Sequence, residues 1–279
     1  MKRELPVNTI YKCDSAIFLQ RIVSRSIHLI VTSPPYNDAR SYTHEFNVTV
    51  FHLEKILMES CRVLVNGGVF AIVVGDTVVN KSETGLPARI VTFMLDYCHM
   101  TLHDTMIFEK NSSGHRESNR YQQVFEFVLV FSKYGAPRTF TPLRDHPIKS
   151  SKPWGTRTFR QYDGSLCETE RKTYNNDFDV RRNIWKYSVG GRGVASTFKR
   201  VSEHPATCPD RLPEDLILTW SERGDIVMDP FCGSGTTCAM AKKHGRLYLG
   251  CDISEQFCEL SRDRINNTVT LEPEDDNNA

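Results

Sequence analysis

A chain of 279 residues is long enough for one large domain or for a domain carrying a substantial insertion. With 39% hydrophobic and 25% charged residues it has the make-up of an ordinary globular protein, which excludes wholesale disorder. The net charge of +1 by itself names no polyanionic partner, but 15 Lys and Arg stand against 6 Asp and Glu between Lys133 and Ser202, a local +9 that leaves −8 for the rest.

In chain order, Ala16, Phe18, Leu19, Ile22 and Val23 recur at helical spacing. Ile27 to Val31 is a short β-branched run that stops at Ser33-Pro34-Pro35, where the prolines forbid a central strand from continuing. Phe51 to Val65 sets Leu53, Ile56, Leu57, Cys61 and Leu64 on one helical face, and Asn66-Gly67-Gly68 suits a left-handed C-cap. Val69 to Val74 reads as a strand buried on both faces, Leu86 to Tyr97 as a helix, and Thr105 to Phe108 and Val124 to Phe131 as strands. This alternation predicts an α/β sheet.

From Ser132 to Glu203 the pattern breaks. The segment is rich in Arg, Lys, Gly, Pro, Thr and Asn, holds Trp154 and Trp185, and is expected to form an irregular insert. Regularity returns with a helix from Pro213 to Trp220, a strand at Ile226 to Met228, a helix from Thr236 to Lys243, a strand at Leu247 to Cys251, and a helix from Ser254 to Asn266 with Ser254 as N-cap. Glu272 to Ala279 reads as a frayed acidic tail.

Met1 to Asn8 leads into no signal-peptide apolar stretch, and no run reaches the roughly eighteen apolar residues of a membrane span, so a cytoplasmic protein without membrane contact is expected. The nine cysteines form neither a C-x-x-C pair nor a cluster at zinc spacing; reduced thiols and no metal are expected.

Two constellations carry chemistry. Asp229-Pro230-Phe231-Cys232-Gly233-Ser234-Gly235-Thr236-Thr237 follows a strand and opens a helix, so its glycines let the backbone pass close to a ligand and the helix N-terminus offers N–H groups to an anion. Alone, it reads equally well as a tight strand-to-helix turn. Asp252 follows the next strand, where a carboxylate can accept hydrogen bonds from ribose hydroxyls. The spacing is not G-x-G-x-x-G and lacks a P-loop lysine, which favours a nucleoside with an amino-acid tail over a dinucleotide or triphosphate.

The second constellation is Thr32-Ser33-Pro34-Pro35-Tyr36-Asn37, a stiff loop. An amino group on a base ring is a poor nucleophile because its lone pair is delocalised. Two acceptors, the Ser33 hydroxyl and the Pro34 carbonyl, would draw its hydrogens out of plane, and Tyr36 offers a face to stack on a flipped-out base. A strand-terminating turn with a packed tyrosine is the alternative.

In this order the motifs resemble the β group of amino-methylating DNA methyltransferases, whose catalytic half precedes the cofactor half. Asp14 to Tyr36, Arg62 to Asp76, Leu102 to Lys110, Phe125 to Lys133, His204 to Pro209, Asp229 to Thr237 and Leu249 to Asp252 carry the resemblance, which covers nearly all of the chain except the basic insert.

The resemblance implies a Rossmann-like S-adenosylmethionine-dependent methyltransferase fold with circularly permuted motif order. It divides the chain into a catalytic half (1–132), a target-recognition insert (133–203), a cofactor-binding half (204–271) and a tail (272–279). The implied catalytic residues are Ser33, Pro34, Pro35 and Tyr36. The implied cofactor contacts are Asp14, Thr207, Asp229, Phe231, Gly233, Ser234, Gly235, Thr236 and Asp252. Transfer would be a direct displacement, leaving no cysteine needed as nucleophile.

Ser33 stands where adenine-modifying members usually carry Asp or Asn, so cytosine N4 is the preferred target and adenine N6 the alternative. RNA or protein amide methylation and a non-catalytic DNA-binding subunit rank below these. Double-stranded DNA is the expected partner, with Arg157, Arg160, Arg181, Arg182, Lys186 and Arg192 as candidate phosphate or base contacts. A solvated basic surface around a local core of Trp154 and Trp185 is the alternative for the insert. The loop from Asn111 to Gln123, with Ser112, Ser113, His115, Arg116 and Arg120, is expected near the cleft, with a disordered connection as the alternative, and Gly190 to Gly193 as a mobile hinge, a close backbone approach or a plain surface turn. A homodimer and a companion restriction endonuclease are expected by analogy.

Overall fold

In the computed structural model, residues 5–35, 50–111, 119–148, 156–170, 177–189 and 208–272 are described, without the side chains of residues 50, 51, 156, 157, 169 and 170. The first half contains β1 (Thr9–Lys12), α1 (Ser15–Arg21), β2 (Ile27–Thr32), α2 (Val50–Val63), β3 (Leu64–Val74), β4 (Val78–Val79), β5 (Ser82–Glu83), α3 (Leu86–Asp96), β6 (Met100–Lys110) and β7 (Phe125–Lys133). The second contains β8 (Arg144–Pro147), β9 (Thr156–Arg160), β10 (Leu166–Glu170), β11 (Phe178–Val180), β12 (Ile184–Tyr187), α4 (Arg211–Trp220), β13 (Ile226–Asp229), α5 (Thr236–Lys243), β14 (Leu247–Asp252) and α6 (Glu255–Asn266). No helix among the described residues is long and apolar enough to cross a membrane.

An eight-stranded sheet runs in the order β1-β14-β13-β2-β3-β7-β6-β12. β7 is antiparallel to both of its neighbours, and every other pairing in this sheet is parallel. The crossover from β13 through α5 steps one way to β14, while that from β2 through α2 steps the other way to β3. Right-handed crossovers in opposite directions put their helices on opposite faces, with α1, α2 and α3 along one and α6, α5 and α4 along the other. β13 and β2 therefore flank a topological switch point, outside whose carboxyl ends ligands bind in open α/β sheets.

Apolar runs place the centre of the sheet in the core. Ile27, Leu29, Ile30, Val69 to Val74, and Val128 to Phe131 are all buried, and Phe18, Leu19, Ile56, Leu57, Ile90 and Met94 cover one face. Arg62 of α2 fastens α1 by donating to the carbonyls of Leu19 at 2.8 Å and Ile22 at 3.0 Å, which fall at the helix end where carbonyls lack intrahelical partners.

Two expectations are corrected. Asn66-Gly67-Gly68 does not cap α2: β3 already pairs at Leu64 with Ile27, the register resumes at Val69 with Leu29, and the intervening residues bulge outward. Gly67, at φ +71°, lets the Arg138 N–H reach its carbonyl at 2.9 Å, where a Cβ would meet Arg138 N at 3.0 Å. The C-terminal carbonyls of α2 are satisfied instead by Lys133, whose buried Nζ donates to Cys61 O at 2.6 Å, Leu64 O at 2.8 Å and Arg62 O at 3.3 Å.

The second correction concerns the segment from Ser132 to Glu203, which is not irregular throughout. Ser132 and Lys133 complete β7, and Ile184–Tyr187 forms the parallel edge strand β12, whose alternation buries Trp185 and Tyr187.

The chain divides into two compact units, Pro142–Arg182 and the remainder. The smaller unit lies inside the basic segment and contains the antiparallel pairs β9/β10 and β8/β11. Trp154, Arg192, Gly190 to Gly193 and the end of the tail lie outside the described residues.

Candidate active site

Four consecutive strands of the sheet, β1, β14, β13 and β2, deliver four expected site residues at their carboxyl ends: Asp14, Asp252, Asp229 and Ser33. This row of strand ends is the candidate site. Its parts are joined by hydrogen bonds between residues far apart in sequence.

Thr32, the last residue of β2, donates from Oγ1 to Asp229 Oδ1 at 2.7 Å, and the Phe231 N–H donates to the same oxygen at 3.0 Å. The proline loop and the glycine loop thus share one buried carboxylate. Burial raises the Asp229 pKa to about 6, against the lowering effect of the hydrogen bonds from Thr32, Phe231 and Thr237. Thr237 ties the loops a second time, its hydroxyl donating to Val31 O at 3.4 Å. Beyond Thr32, Ser33 is exposed, Pro34 buried and Pro35 half-buried. Tyr36 lies outside the described residues.

Asp252 ends β14. Its Oδ2 accepts from the Gly233 N–H at 3.0 Å and its Oδ1 from the Ser254 N–H at 2.9 Å, so it anchors the glycine loop and the turn into α6. Burial holds its pKa above the ordinary carboxylate value. Asp14 caps α1, accepting from the Ile17 N–H at 3.0 Å, and its other oxygen lies 2.9 Å from His52 Nε2. Next to it, the Ser15 hydroxyl donates to Pro230 O at 2.6 Å, joining the end of β1 to the glycine loop.

In the loop itself Gly233 and Gly235 have φ of +48° and +77°, conformations that favour glycine. Gly235 is the N-cap of α5 and, having no side chain, leaves that helix end without a side-chain cap. A Cβ on it would lie 2.9 Å from Ser261 Cα, so α6 presses directly on the loop. Phe231 is half-buried against the core that contains Phe18 and Leu19. Ser234 and Thr236 are buried, and both accept hydrogen bonds from Arg264 of α6.

Arg264, His52 and the Thr32 bridge escaped sequence reasoning. Arg264 and His52 carry no motif, and a lone Arg on an amphipathic helix reads as solvent-facing; only the fold brings them to the loops. Thr207 lies outside the described residues.

The basic candidates fare differently. Arg160 and Arg182 are exposed. Arg181 forms a charge-assisted pair with Asp145. Lys186 belongs to β12 of the main sheet and lies 2.9 Å from Glu109. The side chain of Arg157 is not described. In the expected cleft loop, Arg120 donates to Lys81 O, which ties that loop to the β4/β5 hairpin, while Ser112, Ser113, His115 and Arg116 lie outside the described residues.

The arrangement suits a ligand with hydroxyls at one end and an amino-acid carboxylate at the other: a carboxylate acceptor at Asp252 is followed along the loop by hydroxyls and an uncapped helix end. A family model of N6/N4 DNA methylases matches residues 27–263. The chain belongs to that DNA methylase family. N6/N4 DNA methylases are S-adenosylmethionine-dependent methyltransferases, and the donor set of the loop fits that cofactor.

Among relatives of this methylase, the orphan methyltransferase M.BamHII of Bacillus amyloliquefaciens is 40% identical over 249 residues, covering 88% of this chain and 91% of its own. The DNA adenine methyltransferase YhdJ of Escherichia coli K12 is 26% identical over 92% of this chain and 82% of its own. Among solved structures, the cytosine-N4-specific PvuII DNA methyltransferase superposes with a TM-score of 0.68 at 19% identity over 96% of this methylase and 89% of its own chain, a likeness of fold.

Proposed function

We propose that this DNA methylase transfers a methyl group to the exocyclic N4 of a cytosine flipped out of duplex DNA, with Ser33, Pro34, Pro35 and Tyr36 as its catalytic loop. The observation that carries this reading is the hydrogen bond from Thr32 to Asp229, because it fixes the acceptor-bearing proline loop beside the glycine loop at the switch point. S-adenosylmethionine supplies an electrophilic methyl group on a sulfonium.

The work of the chain is then to orient. Asp252 accepts from the ribose hydroxyls. Ser234, Gly235 and Thr236 receive the amino-acid end at the start of α5, while Asp229, Phe231, Gly233, Asp14 and Thr207 complete the cofactor site. The Ser33 hydroxyl and the Pro34 carbonyl accept from the target amino group and pull its hydrogens out of the ring plane. Tyr36 stacks on the base. Holding the two reactants in line supplies much of the acceleration.

Serine at the first loop position favours cytosine because adenine-modifying members of the family usually carry Asp or Asn there, although its uncharged hydroxyl can accept from either amino group. Adenine N6 presents a similar amino group and is the second reading, favoured by the likeness to the DNA adenine methyltransferase YhdJ. The exposed Arg160 and Arg182 are the phosphate contacts in the smaller unit, with Lys186, Arg157 and Arg192 as further candidates and Arg181 serving first as a brace to Asp145.

A kinetic split tests the assignment of roles. Ser33→Ala and Tyr36→Ala are expected to lower kcat by about 10²-fold or more while changing cofactor Kd less than about threefold, and Asp252→Ala to weaken the cofactor at least about tenfold. Unchanged kcat in Ser33→Ala would remove its proposed role.

A further inference from the structure

Arg264 lies on α6, 3% exposed, behind the loop that the proposed function assigns to the cofactor. Its Nη1 donates to Thr236 Oγ1 at 2.7 Å, to Ser234 Oγ at 3.2 Å and to Ser234 O at 3.4 Å. Its Nη2 donates to Asp210, in the segment that leads into α4. A guanidinium has donors and no acceptor. In these contacts both hydroxyls must therefore accept, and each retains one proton to donate elsewhere. Ser234 and Thr236 flank Gly235 at the uncapped start of α5, where an anionic group is favoured by the helix end as well.

A structural brace would need only the carbonyl of Ser234 and the carboxylate of Asp210. Spending the shortest of its Nη1 contacts on a hydroxyl of the cofactor loop does something more: it sets the direction of that hydroxyl's proton and places a positive charge directly behind it. Ser261, one helical turn earlier on α6, packs against Gly235 and keeps the helix in register with the loop.

We infer that Arg264 is the positioning residue for the amino-acid end of the cofactor, orienting Ser234 and Thr236 as donors to its carboxylate. Asp210 holds the guanidinium through its other terminal nitrogen. The inference rests on the proposed cofactor loop. It adds a residue that selects for the tail of the cofactor, separate from Asp252, which serves the ribose.

The test compares two ligands that share the nucleoside and differ in the tail. S-adenosylhomocysteine carries the amino acid, whereas 5′-methylthioadenosine lacks it. Binding of each is measured by calorimetry, or by displacement for the weaker ligand, on the full chain and on Arg264→Met, Arg264→Lys and Asp210→Asn. Arg264→Met is expected to weaken S-adenosylhomocysteine at least about tenfold, the order of one charge-assisted hydrogen bond, and methylthioadenosine less than about threefold. Arg264→Lys, which keeps the charge but cannot fork between the two hydroxyls and Asp210, is expected to recover part of the loss.

If Arg264→Met does not fold, Asp210→Asn is read in the same way, with a smaller loss confined to S-adenosylhomocysteine. Equal losses for both ligands, or no loss for either, would overturn the inference by reducing Arg264 to a general brace. Failure of the unaltered chain to bind either ligand would overturn the cofactor reading itself, a distinct result.

Discussion

Burial of the Asp229 carboxylate, which accepts from Thr32 and from the Phe231 N–H, raises its pKa from 3.8 to about 6. A carboxylate raised in the folded state favours folding fully below its unfolded value of 3.8, and this favour is lost as pH climbs through about 6. Above that, the ionised form costs on the order of 3 kcal/mol. Asp229→Asn keeps an oxygen acceptor for Thr32 and removes the charge. It is therefore expected to raise thermal stability at pH 8 by about 1–3 kcal/mol, and to weaken cofactor binding. Differential scanning calorimetry with parallel binding titrations checks both, and a variant less stable than the parent at pH 8 would contradict the argument.

His28 gives the opposite sign. Its Nδ1 accepts from the Ile226 N–H at 3.0 Å, a contact that requires that nitrogen to be unprotonated, and burial together with the Arg138 charge lowers its pKa despite Asp225. Stability from this group is present above the unfolded value of 6.5 and falls away as pH drops below it through the folded value. Urea midpoints from pH 8 to pH 5 should decline more steeply in the parent than in His28→Gln, whose side-chain oxygen accepts at every pH; parallel declines would contradict this.

At the scale of elements, two contacts decide whether the pieces join as described. Lys133 donates to three carbonyls around the end of α2, of which that of Arg62 also accepts from the Arg25 N–H, so Lys133→Met removes the ammonium from the buried Cys61 and Leu64 carbonyls and is expected to cost about 2–4 kcal/mol in urea unfolding. Gly235→Ala forces a left-handed alanine against Ser261 and is expected to cost about 2 kcal/mol or more and to weaken the cofactor with it.

These same elements mark how far the sequence could be read. Runs such as Val69 to Val74 and the helix from Thr236 to Lys243 announced themselves through length and periodicity. Thr9–Lys12 did not, because four residues with a single buried side chain carry too little pattern. Ile184–Tyr187 was masked by its basic neighbourhood, although its alternation is that of an edge strand. Lys133 counted among the charges of a basic insert, yet its ammonium is spent on backbone carbonyls.

For the whole molecule, motif order fixed more than any single motif. The proline loop and the glycine loop lie almost two hundred residues apart and meet because β2 and β13 are neighbours at the switch point. What the order could not reveal are partners that depend on packing, such as Arg264 behind the loop or His52 beside Asp14. Charge behaves likewise: +9 in one segment suggested a polyanion, but Arg181 and Lys186 have acidic partners, which leaves fewer cations for phosphates. Arg160→Ala and Arg182→Ala are each expected to reduce the slope of log K against log salt for duplex DNA by roughly 0.9, whereas Arg181→Ala chiefly destabilises the β8/β11 pair. Fluorescence anisotropy across a salt series distinguishes these.

The most direct measurement of the central claim is mass spectrometry of nucleosides from duplex DNA incubated with the protein and S-adenosylmethionine. N4-methylcytosine is expected, and its loss in Ser33→Ala and Tyr36→Ala. N6-methyladenine in its place would contradict the choice of base, and the absence of any methylated amino group would contradict the catalytic assignment of the Ser33-Pro34-Pro35-Tyr36 loop.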